Sequence, residues 1–332
     1  MAALHDWGDV IKEMIAIGFD AKRTSLERKV TALHEAASCG SQSALLALLE
    51  TDADVNAENI DRQTPLLEAA EGNHPEAFLP LLEARANVHH QGWEKLTALH
   101  QVAMTGNDDA AKLLLEWKAE VNTCSGDGWG HRTPLHIAAE RNHSAVAELL
   151  VDHGAVIDRA CSQNYTPLLL AASSGCLEVV ELLLKLKADL SIRTEAGECA
   201  LHLAAANGHV EIAMLLFRHQ PSLLKAVDNR KHTPLHSALQ AREAKVSLQL
   251  LGMGSPVEAV DALGQTALHL ATMHDLKEVV TALISEYEVD RTKRGLLGSP
   301  ALHYAAQWGH AHLIEPLISN GGGDPETFND DH

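Results

Sequence analysis

The residue type with the greatest capacity for chemistry in this chain is histidine, which occupies 21 of its 332 positions. Imidazole binds metal ions and transfers protons near neutral pH. The densest groups are His89 with His90 and His310 with His312, whereas a zinc site needs about four ligands gathered at one point. Seven other histidines share one position of a repeated phrase, which spreads them along the chain: His34, His100, His136, His202, His236, His269 and His303. The sequence therefore predicts structural histidines, no metal site and no cofactor.

The short motifs of common catalytic sites are missing from the sequence. It contains no G-x-x-x-x-G-K, no H-E-x-x-H, no C-x-x-C and no G-x-S-x-G. The pair His34 and Glu35 begins like a zinc-protease helix, but Ser38 stands where the second histidine would be. The insertion from Ser125 to Gly130 has too few carboxylates for a calcium-binding loop. We therefore expect a protein that is not an enzyme.

The charge balance narrows the class of partner. The chain has 45 acidic and 26 basic residues, a net charge of −19, which repels DNA and anionic lipid. We expect a protein partner with a basic or mixed-charge surface, and no nucleic acid. Protonation of all 21 histidines would change the net charge to +2, which predicts weaker binding of basic ligands below about pH 6.5. The basic run from Asn229 to His232 is interpreted as a solvated tip.

The sequence favours a protein that stays inside the cell, in the cytoplasm or the nucleus. Its apolar stretches, such as Leu168 to Ala172, fall far short of the roughly 20 residues that span a bilayer, so no membrane insertion is expected. The start of the chain includes His5, Asp6 and Asp9, unlike a secretory signal. An odd number of cysteines at unmatched repeat positions indicates reduced thiols: Cys39, Cys124, Cys161, Cys176 and Cys199.

A four-residue phrase of the type T-P-L-H organises the whole chain. Successive copies start 33 to 36 residues apart, at Thr31, Thr64, Thr97, Thr133, Thr166, Cys199, Thr233, Thr266 and Pro300. A unit this short cannot bury its apolar face alone, so the copies must stack and share one continuous core. The period predicts one array with nine repeats.

The repeat that begins at Thr133 predicts two short helices. Thr133 is suited to cap the first helix, with Pro134 at a position where its missing N–H costs nothing. Leu135 and the small alanines after His136 follow helical spacing. A second apolar stripe follows from Val146, and Gly154 then ends the second helix. The chain returns through an extended segment, called a finger below, that leads into the next repeat.

These residues resemble the ankyrin-repeat family, whose unit is 33 residues long with the signature T-P-L-H-x-A. The resemblance covers about residues 31 to 324, with copies such as Thr133 to Ala139. It implies an all-α solenoid of stacked helix-turn-helix units with extended finger loops. Residues 1 to 30 resemble a degenerate N-terminal capping repeat, and residues 325 to 332 read as an acidic C-terminal tail.

Departures from the family pattern predict local irregularities. Arg85, Lys118 and Lys187 stand where the pattern places the glycine after the second helix, so each should adopt a positive φ at a cost of about 1 kcal/mol. Pro80 and Pro316 fall inside the second helices of their repeats, where proline removes a backbone hydrogen bond.

Two repeats also lack the motif histidine. Its place is taken by Leu67 in the second repeat and by Leu169 in the fifth. Any polar link that the histidine makes should be absent there, although an apolar side chain is compatible with stacking.

The resemblance implies that fingers and the exposed side of the first helices form a recognition surface. On three successive fingers these positions hold Trp93, Trp129 and Tyr165. Aromatic residues and arginine dominate binding hot spots, so repeats three to five are the candidate site. Residues close by complete it: Met104, Arg132, Glu140 and Arg141. In the alternative interpretation, Trp93 and Trp129 pack on each other and stiffen their fingers.

A second candidate lies near the C-terminus, where Tyr304 and Trp308 are expected to project from the last first helix or to form a cap pair. The resulting hypothesis is a protein-interaction module that acts as an adaptor or scaffold, alone or as a subunit of a larger complex. An inhibitor that masks a basic segment and an effector that acts in a host cell are compatible with the same residues. A minor alternative is an enzyme or an enzyme subunit.

Overall fold

The computed structural model describes residues 8–319, and within this range the chain is built from helices, 3-10 turns and extended fingers, with only two isolated β-bridges. The proposed acidic tail at 325–332 lies outside the described residues. The helices are α1 Gly8–Ala16, α2 Ala32–Ser38, α3 Gln42–Leu49, α4 Pro65–Glu71, α5 Phe78–Glu83, α6 Ala98–Thr105, α7 Asp108–Glu116, α8 Pro134–Glu140, α9 Ser144–Asp152, α10 Pro167–Ser174, α11 Leu177–Lys185, α12 Ala200–Ala206, α13 Val210–His219, α14 Pro234–Gln240, α15 Ala244–Gly252, α16 Ala267–Met273, α17 Lys277–Ser285, α18 Ala301–Trp308 and α19 Ala311–Ile318.

The helices form two layers within each of two compact units, which meet in sequence between Ser162 and Gln163. From α2 onwards, each even-numbered helix is the inner helix of a repeat and the following odd-numbered one is its outer helix. Inner helices pack on inner helices, as α2 does on α4 in the first unit and α12 on α14 in the second. Outer helices pack likewise, and α1 contacts α3, the outer helix of the first repeat. The predicted all-helical repeat solenoid is confirmed.

The inner helices begin in the same way because the phrase supplies both halves of a cap. In five repeats the threonine Oγ1 lies 2.8 Å from Nδ1 of the motif histidine. In the sixth repeat Cys199 replaces threonine, and its Sγ lies 2.9 Å from Nδ1 of His202. The backbone N–H of the capping residue also donates to Nδ1, at 3.2 Å for Thr31 and His34. The orphaned N–H at the start of the helix is thereby satisfied.

The other ring nitrogen of the motif histidine joins neighbouring repeats. His34 Nε2 lies 3.0 Å from the carbonyl oxygen of Gln63, on the next finger. His202 Nε2 lies 2.9 Å from the carbonyl oxygen of His232 in the same relation. Because Nδ1 accepts and Nε2 donates, the ring is neutral. His34 and His202 therefore each cap their own helix and fix the finger that follows, and Nε2 of His100 and of His236 makes the same link.

Burial keeps these histidines neutral, which corrects the charge prediction. Loss of hydration lowers the pKa of His100 and of His202 to about 4. The same cause lowers the pKa of His34, His236 and His269. His100 and His202 therefore do not protonate in the usual range near pH 6.5, and the other three protonate at a lower pH than a free imidazole. The expected change of the net charge to +2 over the usual histidine range is therefore wrong.

The repeats without a motif histidine fill its place with apolar volume. Leu67 and Leu169 are buried, with 1% and 2% of their surface exposed. Beside Leu67, the hydroxyl of Thr64 is buried with no hydrogen-bond partner, while the hydroxyl of Thr166 accepts only from the N–H of Leu169, at 3.3 Å. The predicted loss of a polar link is confirmed at Thr64.

The irregular positions fall where the sequence places them. Arg85, Lys118 and Lys187 have φ values of 70°, 65° and 64°, so the predicted left-handed conformations are confirmed. Pro80 lies in α5, whose repeat enters its outer helix through a 3-10 turn at Pro75–Ala77. Pro316 lies inside α19. The five cysteines are free thiols, and no helix between residues 8 and 319 is long and apolar enough to cross a bilayer.

Candidate functional site

The fingers of each unit are joined by backbone hydrogen bonds, which set the positions of the side chains at their tips. In the first unit, the N–H of Gly126 donates to the carbonyl of Glu94 at 2.6 Å, and the N–H of Ile60 to that of Arg28 at 3.0 Å. In the second unit, the N–H of Ala262 donates to the carbonyl of Arg230 at 2.9 Å. Tip residues on adjacent fingers are therefore held next to each other.

Trp93 is the most exposed aromatic residue of the candidate site in the first unit. It opens a 3-10 turn at Trp93–Lys95, and 57% of its surface is exposed. Trp129 lies half-buried in the equivalent turn, Asp127–Trp129, on the next finger. The two indoles form no ring pair within residues 8–319. Instead, a carboxylate oxygen of Glu94 accepts from the N–H of Gly128 at 3.1 Å and ties the fingers together.

An open depression of about 410 Å³ lies beside Trp93. Its walls come from the second and third fingers and the start of the fourth, and they include Ile60, Arg62, Trp93 and Lys95. Ile60 is 53% exposed, so the depression has an apolar edge next to the indole. Charged groups of both signs surround it. A concave surface with an aromatic residue at its rim is suited to receive a side chain of a partner.

Of the four residues predicted to complete this site, two are bound to each other and two are not. Arg132 and Glu140 form an ion pair with about a quarter of each side chain exposed, which ties the fourth finger to α8. Arg141 is exposed at the end of α8 and makes no ion pair among the described residues. Met104 is half-buried, and its carbonyl oxygen lies 3.2 Å from Nε2 of His143. Trp93 and Arg141 are therefore the more accessible members.

In the second unit, the expectation that Tyr304 projects from its helix is wrong. Only 5% of its surface is exposed. Its hydroxyl lies 3.0 Å from the side-chain nitrogen of Gln265 and accepts from the N–H of Leu296 at 3.2 Å. The ring stands edge-on to that of His269, with centroids 5.4 Å apart. Tyr304 therefore links α18 to the eighth and ninth fingers.

The other predicted residues of the second unit have different exposures. Trp308 ends α18 and is 56% exposed, so it is presented to solvent as expected. Tyr165, directly before Thr166, is half-buried. The alternative, in which Tyr304 and Trp308 form a cap pair, stays a prediction, with Trp308 exposed and Tyr304 buried.

Two further depressions in the second unit flank the seventh finger, whose basic run from Asn229 to His232 the sequence indicated only as a solvated tip. They measure about 440 Å³ and 470 Å³ and share Arg230, His232 and Gln240. Nδ1 and Nε2 of His232 lie 3.6 Å from carboxylate oxygens of Asp228 and Asp261, respectively. The sequence did contain a signal for these depressions. Ile60 in the first unit and Leu263 in the second are large apolar residues at finger tips, where polar residues are usual.

Within the described residues, no group of three or more histidine, cysteine or carboxylate side chains is arranged to hold a metal ion. His310 and His312 each approach Asp275, at 3.9 Å and 2.8 Å from the same oxygen. His89, at a finger position, is exposed.

The family comparison agrees with this architecture. The model described as ankyrin repeats (3 copies) matches six overlapping segments, at residues 1–92, 55–127, 80–159, 99–194, 186–261 and 244–329. Together they cover nearly the whole chain, so this protein belongs to the ankyrin-repeat family. Ankyrin repeats are protein-interaction modules, and the predicted binding class is supported at that level.

Individual relatives share only part of the array. The tyrosine-protein kinase Shark of Drosophila melanogaster is 37% identical over 86 residues, which are 26% of this chain and 9% of that protein. The inactive serine/threonine-protein kinase TEX14 of Bos taurus is 36% identical over 74 residues, 22% of this chain and 5% of that protein. The chain thus matches less than a tenth of the length of either relative.

Proposed function

We propose that this chain is a non-catalytic adaptor or scaffold that binds a partner protein along its fingers and the exposed side of its inner helices. The observation that carries the proposal is Trp93, a large aromatic side chain that is 57% exposed at the rim of an open depression. Exposed aromatics on a fixed backbone bury large area at low entropic cost when a partner binds.

The contact surface in the first unit consists of Trp93, Trp129, Met104, Arg132, Glu140 and Arg141, with Tyr165 and Trp308 as further contacts in the second unit. Trp93 and Arg141 are the anchors, because both are exposed. Arg132 and Glu140 form an ion pair that also positions the fourth finger, with about a quarter of each side chain exposed for contact. The net charge of −19 favours a partner surface that is basic or of mixed charge.

Photo-crosslinking tests which surface the partner uses. A photoreactive amino acid is placed at Ile60 or Trp93 on the fingers, or at Leu46 or Leu79, which are exposed on the outer helices α3 and α5. Crosslinks to one protein from the finger positions and none from the outer helices are expected. Crosslinks concentrated at Leu46 and Leu79 would contradict the proposal.

A further inference from the structure

The tips of the last three fingers carry a surface unlike that around Trp93. Leu263, Leu296 and Leu297 are 54%, 42% and 56% exposed. Together with Arg230 and Lys231 on the seventh finger they are called the apolar–basic edge below. Isolated surface leucines need no explanation, but a contiguous apolar patch marks an interaction site.

The members of the apolar–basic edge lie together. The seventh and eighth fingers are joined by the hydrogen bond from the N–H of Ala262 to the carbonyl of Arg230, at 2.9 Å. Arg230, Leu263 and Leu296 line the same depression of about 470 Å³, whose floor includes Met273. This depression is large enough for an apolar side chain, and a cation stands at its rim.

Leu297 is held in a conformation that leucine disfavours. Its φ is 54°, in the left-handed region where glycine and asparagine are preferred. More than half of its surface is also exposed. Neither backbone preference nor hydration favours a leucine at this position, and such residues cluster at functional sites.

The accessible charge of the edge is positive, although the chain is strongly acidic. Arg230 and Lys231 are exposed and make no ion pair within residues 8–319. The neighbouring carboxylates of Asp228 and Asp261 have only 8% and 2% of their side-chain surface exposed. An oxygen of Asp228 accepts from the N–H of Arg230 at 2.8 Å, and one of Asp261 from that of Leu263 at 2.8 Å. These carboxylates are used inside the fingers and leave the cations for a partner.

We propose that the apolar–basic edge binds a partner segment that carries leucine-like apolar side chains next to aspartate or glutamate. The apolar side chains fill the depression between Leu263, Leu296 and Met273, and a carboxylate pairs with the guanidinium of Arg230, whose fork matches it. The inference rests on the proposed binding function. It assigns to the second unit an acidic partner segment, opposite in sign to the one that the net charge favours.

Selection from a displayed library of random 16-residue peptides on the purified full chain tests this specificity. Peptides that combine leucine, isoleucine or phenylalanine with adjacent aspartate or glutamate should be enriched. A synthetic copy of the leading peptide should bind at least tenfold tighter than its twin with lysine in place of the acidic residues. Enrichment of basic peptides, or of none, would overturn the proposal.

Variants of the full chain locate the binding. Arg230→Glu and Leu263→Ser should each weaken the binding of the selected peptide at least tenfold and leave the circular dichroism spectrum of the chain unchanged. Arg218→Glu, at an exposed position of the outer helix α13, and Val156→Ser, 50% exposed in the first unit, are the matched controls. Equal losses in the controls and the edge variants would refute the assignment.

The two proposals fail separately. If the finger crosslinks of the first unit persist while no acidic peptide depends on Arg230, the binding function stands and the apolar–basic edge is wrong. If Arg230 and Leu263 govern peptide binding while Ile60 and Trp93 give no crosslinks, the edge stands and the proposed contact surface of the first unit is wrong.

Discussion

The motif histidines and the finger tips are only a few residues apart in each repeat, yet they differ in every physical respect. His100 and His202 are fully buried, neutral and hydrogen-bonded through both ring nitrogens. Trp93 and Leu263 are more than half exposed on their fingers, and the finger of Leu263 is held by such a histidine, since His236 Nε2 lies 3.3 Å from the carbonyl oxygen of Gln265. The comparison teaches that substitutions of the buried motif histidines should lower the stability of the fold, whereas substitutions at the finger tips should lower the affinity for a partner.

The largest expected effect is on the pH dependence of stability. The pKa of His100 and of His202 is about 4 in the folded chain and near 6.5 when unfolded. Between about pH 4 and pH 6.5 the unfolded chain binds more protons at these two histidines than the folded chain does. The stability that is present above about pH 7 is therefore lost as the pH falls. Each of the two histidines should lower the free energy of unfolding by about 2 kcal/mol between pH 7 and pH 5.

Urea denaturation followed by circular dichroism at the two pH values measures this loss. His89→Ala, at an exposed finger position, should leave the pH dependence unchanged. If the free energy of unfolding is equal at pH 7 and pH 5, burial does not lower the pKa of these two motif histidines.

Removal of a motif histidine should have the next largest effect. His100→Ala leaves a cavity, and the carbonyl of Arg132 loses its partner at 3.1 Å, so we expect a loss of about 3 kcal/mol of stability. His100→Leu should cost only about half as much, because Leu67 and Leu169 fill the equivalent volume in their repeats. If the alanine and leucine variants are equally stable at pH 7, packing does not decide this position.

Trp93→Ala should weaken partner binding by over 1 kcal/mol and leave the unfolding free energy nearly unchanged. Isothermal titration with the crosslinked partner measures the affinity. Trp117→Ala is the matched control, because Trp117 is 40% exposed but follows the outer helix α7. Lowered stability with unchanged affinity would instead assign Trp93 to the support of its finger.

The smallest effect is expected at Leu297. Leu297→Gly should raise stability by about 0.5 kcal/mol, since glycine relieves the positive φ but is more flexible in the unfolded chain. The same variant should weaken the binding of the selected acidic peptide, so the stability of the chain and its affinity for the peptide change in opposite directions. Thermal unfolding and peptide titration check the two halves, and a loss of both would place Leu297 among the structural residues.

Much of the fold could be predicted because it depends on short-range patterns. The cap of Thr133 on α8 and the left-handed turns at Arg85 and Lys118 follow from residues close in sequence. The burial of Tyr304 could not be predicted, because it depends on hydrogen bonds to Gln265 and Leu296, which lie on two different fingers. At Gly295 the tyrosine hydroxyl approaches within 3.2 Å of the site of a β-carbon, and that contact depends on the ninth finger.

The sequence by itself determined the repeat period, the paired helices and the capping role of Thr and His, since these depend on the spacing of residue types along one helix turn. Only the tertiary structure decided that Arg132 is paired with Glu140, that Tyr304 faces the interior and that Arg230, Leu263 and Leu296 line one depression. For the depression the reason is that stacking brings together tips about 33 residues apart, whose side chains follow no periodic rule. The pairing of Arg132 with Glu140 depends instead on how the fourth finger folds back against α8. The proposed partner contacts lie at those tips.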